Sequence, residues 1–241
     1  KNGSSLMAFR IPQEAPAGFL LTASHSDSPC FRLRDHAELT GEYIRLSAER
    51  YGGMINDSWL DRPLSVAGRV LVRREGGLEA RLVDLKRDVA LIPRVAIHLN
   101  RETNNGVKYD PARDLVALYA AGTGSGSFYR EVARTADCAP EDVVAGDLVL
   151  YNNQPGTVWG PEGEFVSAPR LDDLACVFAC TEGFLTAQER DMVPVLCVFD
   201  NEEIGSETKQ GAASVFLPET LAAISEALGL SAADHRMPVF S

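Results

Sequence analysis

The run Val193-Pro-Val-Leu-Cys-Val-Phe-Asp-Asn-Glu-Glu-Ile-Gly-Ser206 decides how this chain is read. An unbroken apolar stretch, Val193 to Phe199, stops abruptly at Asp200, Asn201, Glu202 and Glu203. Such a stretch, rich in β-branched residues, suits a strand buried on both faces of an α/β sheet. Ligand and catalytic groups of such sheets gather at the carboxyl ends of the strands. Three carboxylates at one strand end repel one another, and a cation among them is one physical solution. Neighbouring glutamates point in different directions, so one can hold a metal while the other stays free as a base. Read alone, the glutamate pair is a solvated loop. Two other stretches change that reading.

The first is Phe19-Leu-Leu-Thr-Ala-Ser24, a second apolar strand, which delivers His25-Ser-Asp-Ser-Pro29. In a His-x-Asp arrangement the imidazole can take a metal on one nitrogen while the carboxylate fixes its orientation or tautomer. A lone strand-end histidine is otherwise a hydrogen-bonded structural residue. The second is Ser167-Ala-Pro-Arg-Leu-Asp-Asp-Leu174, opening an amphipathic segment with Leu174, Val177, Phe178 and Leu185 on a helical period. One of Asp172 and Asp173 is explained as a helix N-cap. The second carboxylate at the same helix start is not.

Working outward, the 241 residues suffice for one large domain or two modest ones. The net charge of −11 comes without any basic stripe, which argues against a nucleic-acid partner. No apolar run reaches the ~18–20 residues of a membrane span, and the start has no signal-peptide pattern. The odd set Cys30, Cys138, Cys176, Cys180 and Cys197 lacks Cys-x-x-Cys spacing, so buried, reduced thiols in a cytoplasmic protein are expected.

From about Asp35 the texture changes to short alternating segments, Tyr43–Ser47, Leu64–Val72 and Leu78–Val83, broken by Gly52-Gly53 and Gly76-Gly77. They predict a small, mostly β unit. Asp61-Arg62 is expected to be an ion pair pinning a turn, and His98 a packed core histidine. Gly122-Thr-Gly-Ser-Gly126 imitates a phosphate loop but lacks the following Lys-Ser/Thr, and reads as a flexible loop. Asp147–Tyr151 reads as a strand leading back to the first domain. A further helix is expected to begin at Ile204, an amphipathic helix to span Leu217 to Gly229, and a strand to start at Met237.

Taken together, His25-x-Asp27, Arg170-Leu-Asp-Asp-Leu174 and Asp200-x-Glu-Glu-Ile-Gly-Ser206 strongly resemble the M18 family of metalloaminopeptidases, the aspartyl aminopeptidase group. Trp59-Leu-Asp-Arg-Pro-Leu-Ser-Val-Ala-Gly-Arg69 and Pro93-Arg-Val-Ala-Ile-His-Leu-Asn100 extend the resemblance over nearly all of the chain. It implies an α/β catalytic domain, a central mixed sheet flanked by helices, interrupted by a β-rich dimerisation domain. Residues 1–36 and 158–241 then form the catalytic domain, and residues 37–157 the insertion. It also implies two divalent ions, zinc or else cobalt or manganese. His25 would be a terminal ligand oriented by Asp27, Asp172 a bridge, Glu203 a ligand of the second ion and Glu202 the general base. His98 would complete a substrate pocket in a neighbouring subunit of a dodecamer built from dimers.

The substrates implied are peptides with a free N-terminus, losing an acidic (Asp/Glu) or neutral (Leu) first residue to water deprotonated by Glu202. The family's remaining ligands, an Asp and a His, are expected beyond Ser241, so the chain reads as truncated at both ends. Asp234 and His235 are weak substitutes for those ligands. A truncated homologue acting as an oligomerising scaffold is the alternative, and another two-metal amide hydrolase a further one.

Overall fold

A computed structural model describes residues 1–122, 124–188, 191–229 and 239–240. In chain order the strands are β1 Leu6–Phe9, β2 Gly18–His25, β3 Cys30–Leu39, β4 Tyr43–Tyr51, β5 Leu64–Arg74 and β6 Gly77–Asp84. There follow α1 Pro111–Asp114, β7 Ala117–Ala121, α2 Ser127–Thr135, β8 Val143–Asn152, β9 Thr157–Trp159 and β10 Phe165–Ser167. The last elements are α3 Leu171–Thr186, β11 Met192–Phe199, α4 Phe216–Ala227 and β12 Val239–Phe240. No helix among the described residues is long and apolar enough to cross a membrane.

The chain divides into two compact units. One combines Lys1–Ser28 with Arg170–Ser241, and the other is the continuous stretch Pro29–Pro169. β3, Cys30–Leu39, lies in the second unit and shifts its register against β4 between Leu33 and Glu38.

The first unit is built on a mixed sheet of order β1-β11-β2-β12. β11 pairs antiparallel with β1 and parallel with β2. Flanked on both edges, it is the most deeply buried strand: Val193, Val195, Leu196, Cys197, Val198 and Phe199 are all buried. This is the continuous apolar run at work, since a central strand covered on both faces has no solvent side to alternate toward. Leu221 and Ile224 of α4, with Leu228 just after it, pack against it, as their helical spacing predicts.

α3 departs from expectation. Leu174, Phe178 and Leu185 are 42%, 68% and 63% exposed, so the predicted stripe is not the face packed in this chain. Ile204 begins no helix. Glu202–Ile204 form a single 3-10 turn, because Gly205 and Ser206 both take left-handed φ. Met237, Pro238 and Ser241, like Asp234 and His235, lie outside the described residues.

The second unit is a six-stranded sheet of order β6-β5-β8-β3-β4-β7. Here β8 pairs with both β5 and β3, so Asp147–Tyr151 lies mid-sheet in this unit rather than leading back to the first. Hydrophobic residues from alternating positions, among them Phe31, Leu46, Val66, Val70 and Leu150, form one core with Phe128 and Val132 of α2. The phosphate-loop mimic is already occupied by protein. Glu38 accepts hydrogen bonds from the backbone N–H of Gly126 (2.5 Å) and Phe128 (2.9 Å), satisfying the start of α2. Asp61 and Arg62 are not paired with each other: Asp61 accepts from the Arg94 backbone N–H, and Arg62 donates to Gln154. Of the five thiols only Cys197 is buried, and Cys176 is exposed.

One glycine is demanded by the β5–β8 pairing. Gly68 has φ +149°, and a Cβ there would lie 2.1 Å from the Asp147 carbonyl oxygen. Gly68→Ala is expected to cost about 2–4 kcal/mol, from strained φ and backbone displacement. Urea denaturation would measure it, and a loss below about 0.5 kcal/mol would refute the close approach.

Candidate functional site

The parallel register places Phe199 of β11 beside His25 of β2, and Ser26 N–H donates to Phe199 C=O at 2.9 Å. Both strands therefore end at one level, and the segments after them, Ser26–Asp27 and Asp200–Glu203, emerge side by side. Asn201 makes this possible on the second strand. It sits at φ 62°, a left-handed position that asparagine tolerates better than most residues. Its side chain accepts from Thr208 Oγ1 at 2.7 Å, and its carbonyl accepts from Ser206 N–H at 2.9 Å.

Asp27 ties the two ends together. Its carboxylate forks onto the backbone, Oδ1 accepting from Glu202 N–H at 3.1 Å and Oδ2 from Glu203 N–H at 3.2 Å. Oδ1 also lies 3.3 Å from His25 Nδ1, and the Asp27 carbonyl oxygen is 3.1 Å from the same nitrogen. The last contact is a hydrogen bond when Nδ1 carries the hydrogen, which leaves the lone pair on Nε2.

The start of α3 supplies the third side. The Asp172–Asp173 peptide is cis, and both residues have non-helical dihedrals inside the helix start. Neither is an N-cap. Arg170 holds that position at φ 64° without a side-chain cap bond, and the Asp173 carboxylate instead accepts the His25 backbone N–H at 3.0 Å. Ser28 Oγ donates to the Asp172 carbonyl at 3.0 Å. Asp173 and Ser28 are thus structural members of the cluster that motif reading leaves without a role. The doubled aspartate was the signal for the first of them; nothing local marks the serine.

His25 Nε2 faces three carboxylates: Asp172 Oδ1 at 3.4 Å, Glu202 Oε2 at 3.7 Å and Asp173 Oδ2 at 4.0 Å. The imidazole is 14% exposed and Asp27 8%, whereas Asp172 is 89% and Glu202 54% exposed. One side of the cluster is therefore anchored and the other open. Burial pulls the His25 pKa down, but the charges of Asp173, Asp27 and Glu202 outweigh it and raise it above the ordinary histidine value. Burial, then the charges of Asp27 and Glu202, lift the Glu203 carboxyl. Nearby carboxylates contribute to both shifts, dominating the rise at His25 and adding to burial at Glu203.

His98 is elsewhere. It stands in the second unit on a 3-10 turn, Ile97–Leu99, and is exposed rather than packed in a core.

Whether this donor set fits a divalent metal follows from its chemistry. An imidazole with its free nitrogen outward and oxygen donors around it suits zinc, cobalt or manganese. Two ligands on one tetrahedral zinc with bonds of ~2.1 Å are separated by roughly 3.4 Å. His25 Nε2 and Asp172 Oδ1 have that separation. They fit as part of a coordination sphere. Among the described residues no group of three or more His, Cys, Asp or Glu side chains converges closely enough to hold an ion by itself.

The family described as Aminopeptidase I zinc metalloprotease (M18) matches residues 1–239. This chain belongs to the M18 family. That is a family of zinc metalloaminopeptidases, and the match runs through all three strand and helix ends of the M18 cluster described above. A probable M18 family aminopeptidase 2 of Clostridium acetobutylicum is 40% identical over 233 residues, covering 92% of this chain and 53% of that protein. A cryo-EM structure of the Ape4 and Nbr1 complex superposes with a TM-score of 0.87 at 32% identity, over 94% of this chain and 49% of the other. The mApe1 dodecamer of S. cerevisiae, as its structure describes it, gives 0.77 at 29% identity, over 95% and 54%. The chain thus spans about half the length of the curated M18 relatives it matches.

Proposed function

We propose that this chain contributes to a two-zinc aminopeptidase centre, with His25, Asp172 and Glu203 as ligands and Glu202 as general base. The observation that carries the reading is the approach of two carboxylates to His25 Nε2, Asp172 Oδ1 at 3.4 Å and Glu202 Oε2 at 3.7 Å, at the ends of β2 and β11 and the start of α3. Zinc, when bound there, supplies Lewis acidity that makes a water molecule readily deprotonated near neutral pH.

The chain's own residues do the rest. Asp27 holds the Glu202 and Glu203 backbone in place through its forked carboxylate, and so sets where both side chains start. Its carbonyl fixes the His25 tautomer that presents Nε2 outward. Asp173 keeps the His25 backbone against α3. Glu202, half exposed and near Nε2, is free to accept a proton from water and return it to the departing amine. The substrates are peptides with a free N-terminus, the first residue acidic (Asp/Glu) or neutral (Leu). The first unit is the catalytic domain, and the inserted β-rich unit mediates dimers within a dodecamer, where His98 completes a neighbouring subunit's substrate pocket.

The test uses protein expressed from its complete reading frame. Zinc per chain is measured together with release of Asp and Leu from peptides bearing them first. The expected result is stoichiometric zinc and amino-acid release, with zinc lost in His25→Ala and Asp172→Ala. A protein that assembles but binds no zinc and releases nothing would be an oligomerising scaffold instead. Cleavage of N-acylated substrates in preference to free amines would point to a deacylase.

A further inference from the structure

Several bonds of the β-rich unit converge on a single exposed residue, Arg94. Its guanidinium donates to Asp57 and, at 3.1 Å, to Tyr109 Oη, while Tyr109 Oη itself donates to Asp57. The Arg94 backbone N–H donates to Asp61 Oδ1 at 2.8 Å. Each partner is anchored in its turn. Asp61 N–H donates to the Ile92 carbonyl at 2.9 Å, and Leu60 forms a parallel bridge with Ile92, which is fully buried. Asp57 stands in the 3-10 turn Asn56–Trp59, whose last residue packs edge-on against the core ring of Phe31 at 5.1 Å between centroids.

The segment that begins at Arg94 needs such an anchor. Val95, Ile97 and Leu99 are 55%, 52% and 72% exposed, and they flank the exposed His98. The turn is closed by Leu99 N–H to Ala96 C=O at 2.9 Å and Asn100 N–H to Ile97 C=O at 3.2 Å. With its apolar neighbours turned outward, the turn has no packed base, so its backbone attachment sets where the imidazole is held. Exposed ion pairs add little to stability. Gathering a phenol and two carboxylates around one surface arginine therefore argues for placement rather than for holding the unit together.

We infer that Asp57, Asp61 and Tyr109, acting through Arg94, are positioning residues that hold the Val95–Asn100 segment so that His98 is aimed. The inference rests on the reading of His98 as a substrate-pocket residue. It assigns the Trp59-Leu-Asp-Arg-Pro63 motif a purpose: presenting Asp61 to the chain four residues before the histidine.

The test compares Arg94→Lys, Asp57→Asn and His98→Ala, with the Arg94→Lys/His98→Ala double variant, in protein from the complete reading frame. Arg94→Lys keeps the charge and replaces the rigid planar guanidinium, whose Nη2 makes both side-chain bonds, with a flexible ammonium. Amide hydrogen exchange at residues 95–100 is expected to accelerate at least about tenfold in Arg94→Lys, while β5 and β8 stay protected. Hydrolysis of Asp- and Leu-terminated peptides should fall roughly 10- to 100-fold in kcat/KM. In the His98→Ala background the same substitution should cost less than about twofold, because its target is gone. Asp57→Asn, at an exposed acceptor, should repeat the pattern more weakly, and Asp57→Glu should restore part of it. Unchanged exchange at 95–100, or losses that add in the double variant, would overturn the inference. Accelerated exchange with His98→Ala fully active would instead refute the reading of His98, and the positioning role would fall with it. Should Arg94→Lys lose protection throughout the unit, the Asp57→Asn exchange pattern decides the matter alone.

Discussion

Glu202→Gln is expected to lower kcat by about 10²–10⁴-fold while leaving zinc content unchanged. The amide preserves the shape of the side chain and removes its ability to take a proton. The Glu202 backbone N–H that Asp27 holds is untouched by the change. In the proposed assignment Asp172 and Glu203 are engaged as ligands. Asp173 is occupied by the His25 backbone, and Asp27 is 8% exposed and committed to two backbone N–H groups. The measurement is single-turnover hydrolysis beside metal analysis on the same preparation. Activity within tenfold of the unchanged protein would remove Glu202 from the role of base. Lost zinc would make it a ligand.

The second large effect is expected at Asp27, and it is mainly one of stability. Asp27→Ala leaves the N–H groups of Glu202 and Glu203 without their acceptor in a site where the carboxylate was 8% exposed. Each orphaned donor costs ~1–3 kcal/mol, so a loss of about 2–6 kcal/mol in unfolding free energy is expected for the two. Asp27→Asn, which keeps one acceptor oxygen, should lose about half of that. Because the His25 tautomer also depends on the Asp27 backbone carbonyl, neither variant should remove that hydrogen bond by itself. Denaturant melts of the metal-free protein separate the cases. A loss under about 1 kcal/mol for Asp27→Ala would mean that the fork does not hold the Glu202–Glu203 turn.

Much of the centre can be read along the chain because its members sit at the ends of periodic segments. His25 follows an apolar strand, Glu202 follows another, and Asp172 opens a helix, so three abrupt changes from apolar to acidic mark three element ends. The same reading assigns the wrong jobs to groups whose partners lie far along the chain. Asp173 looks like a helix cap and in fact binds a backbone N–H 148 residues away. Asp61 looks paired with its neighbour Arg62 and is bonded to Arg94, 33 residues on. His98 looks like a core residue because its neighbours are apolar, yet those neighbours are exposed with it. Local pattern reports what a segment prefers. Hydrogen bonds from side chain to distant backbone depend on where the chain returns.

The sequence by itself determined which stretch is the central strand of the first unit and which residues end it. An apolar run with no alternation has no stable place except between two covered faces. It also determined that a β-rich stretch follows from the middle thirties, since period-two alternation between glycine pairs admits little else. Only the tertiary structure decided that β8 belongs inside that second sheet, and that Asp27 rather than a helix cap organises the cluster. It alone placed His25 Nε2 at a ligand's distance from Asp172. The physical reason is register. The parallel pairing of β2 with β11 brings His25 level with Phe199, and that alignment depends on hydrogen bonds between segments about 170 residues apart, which neither segment's composition records.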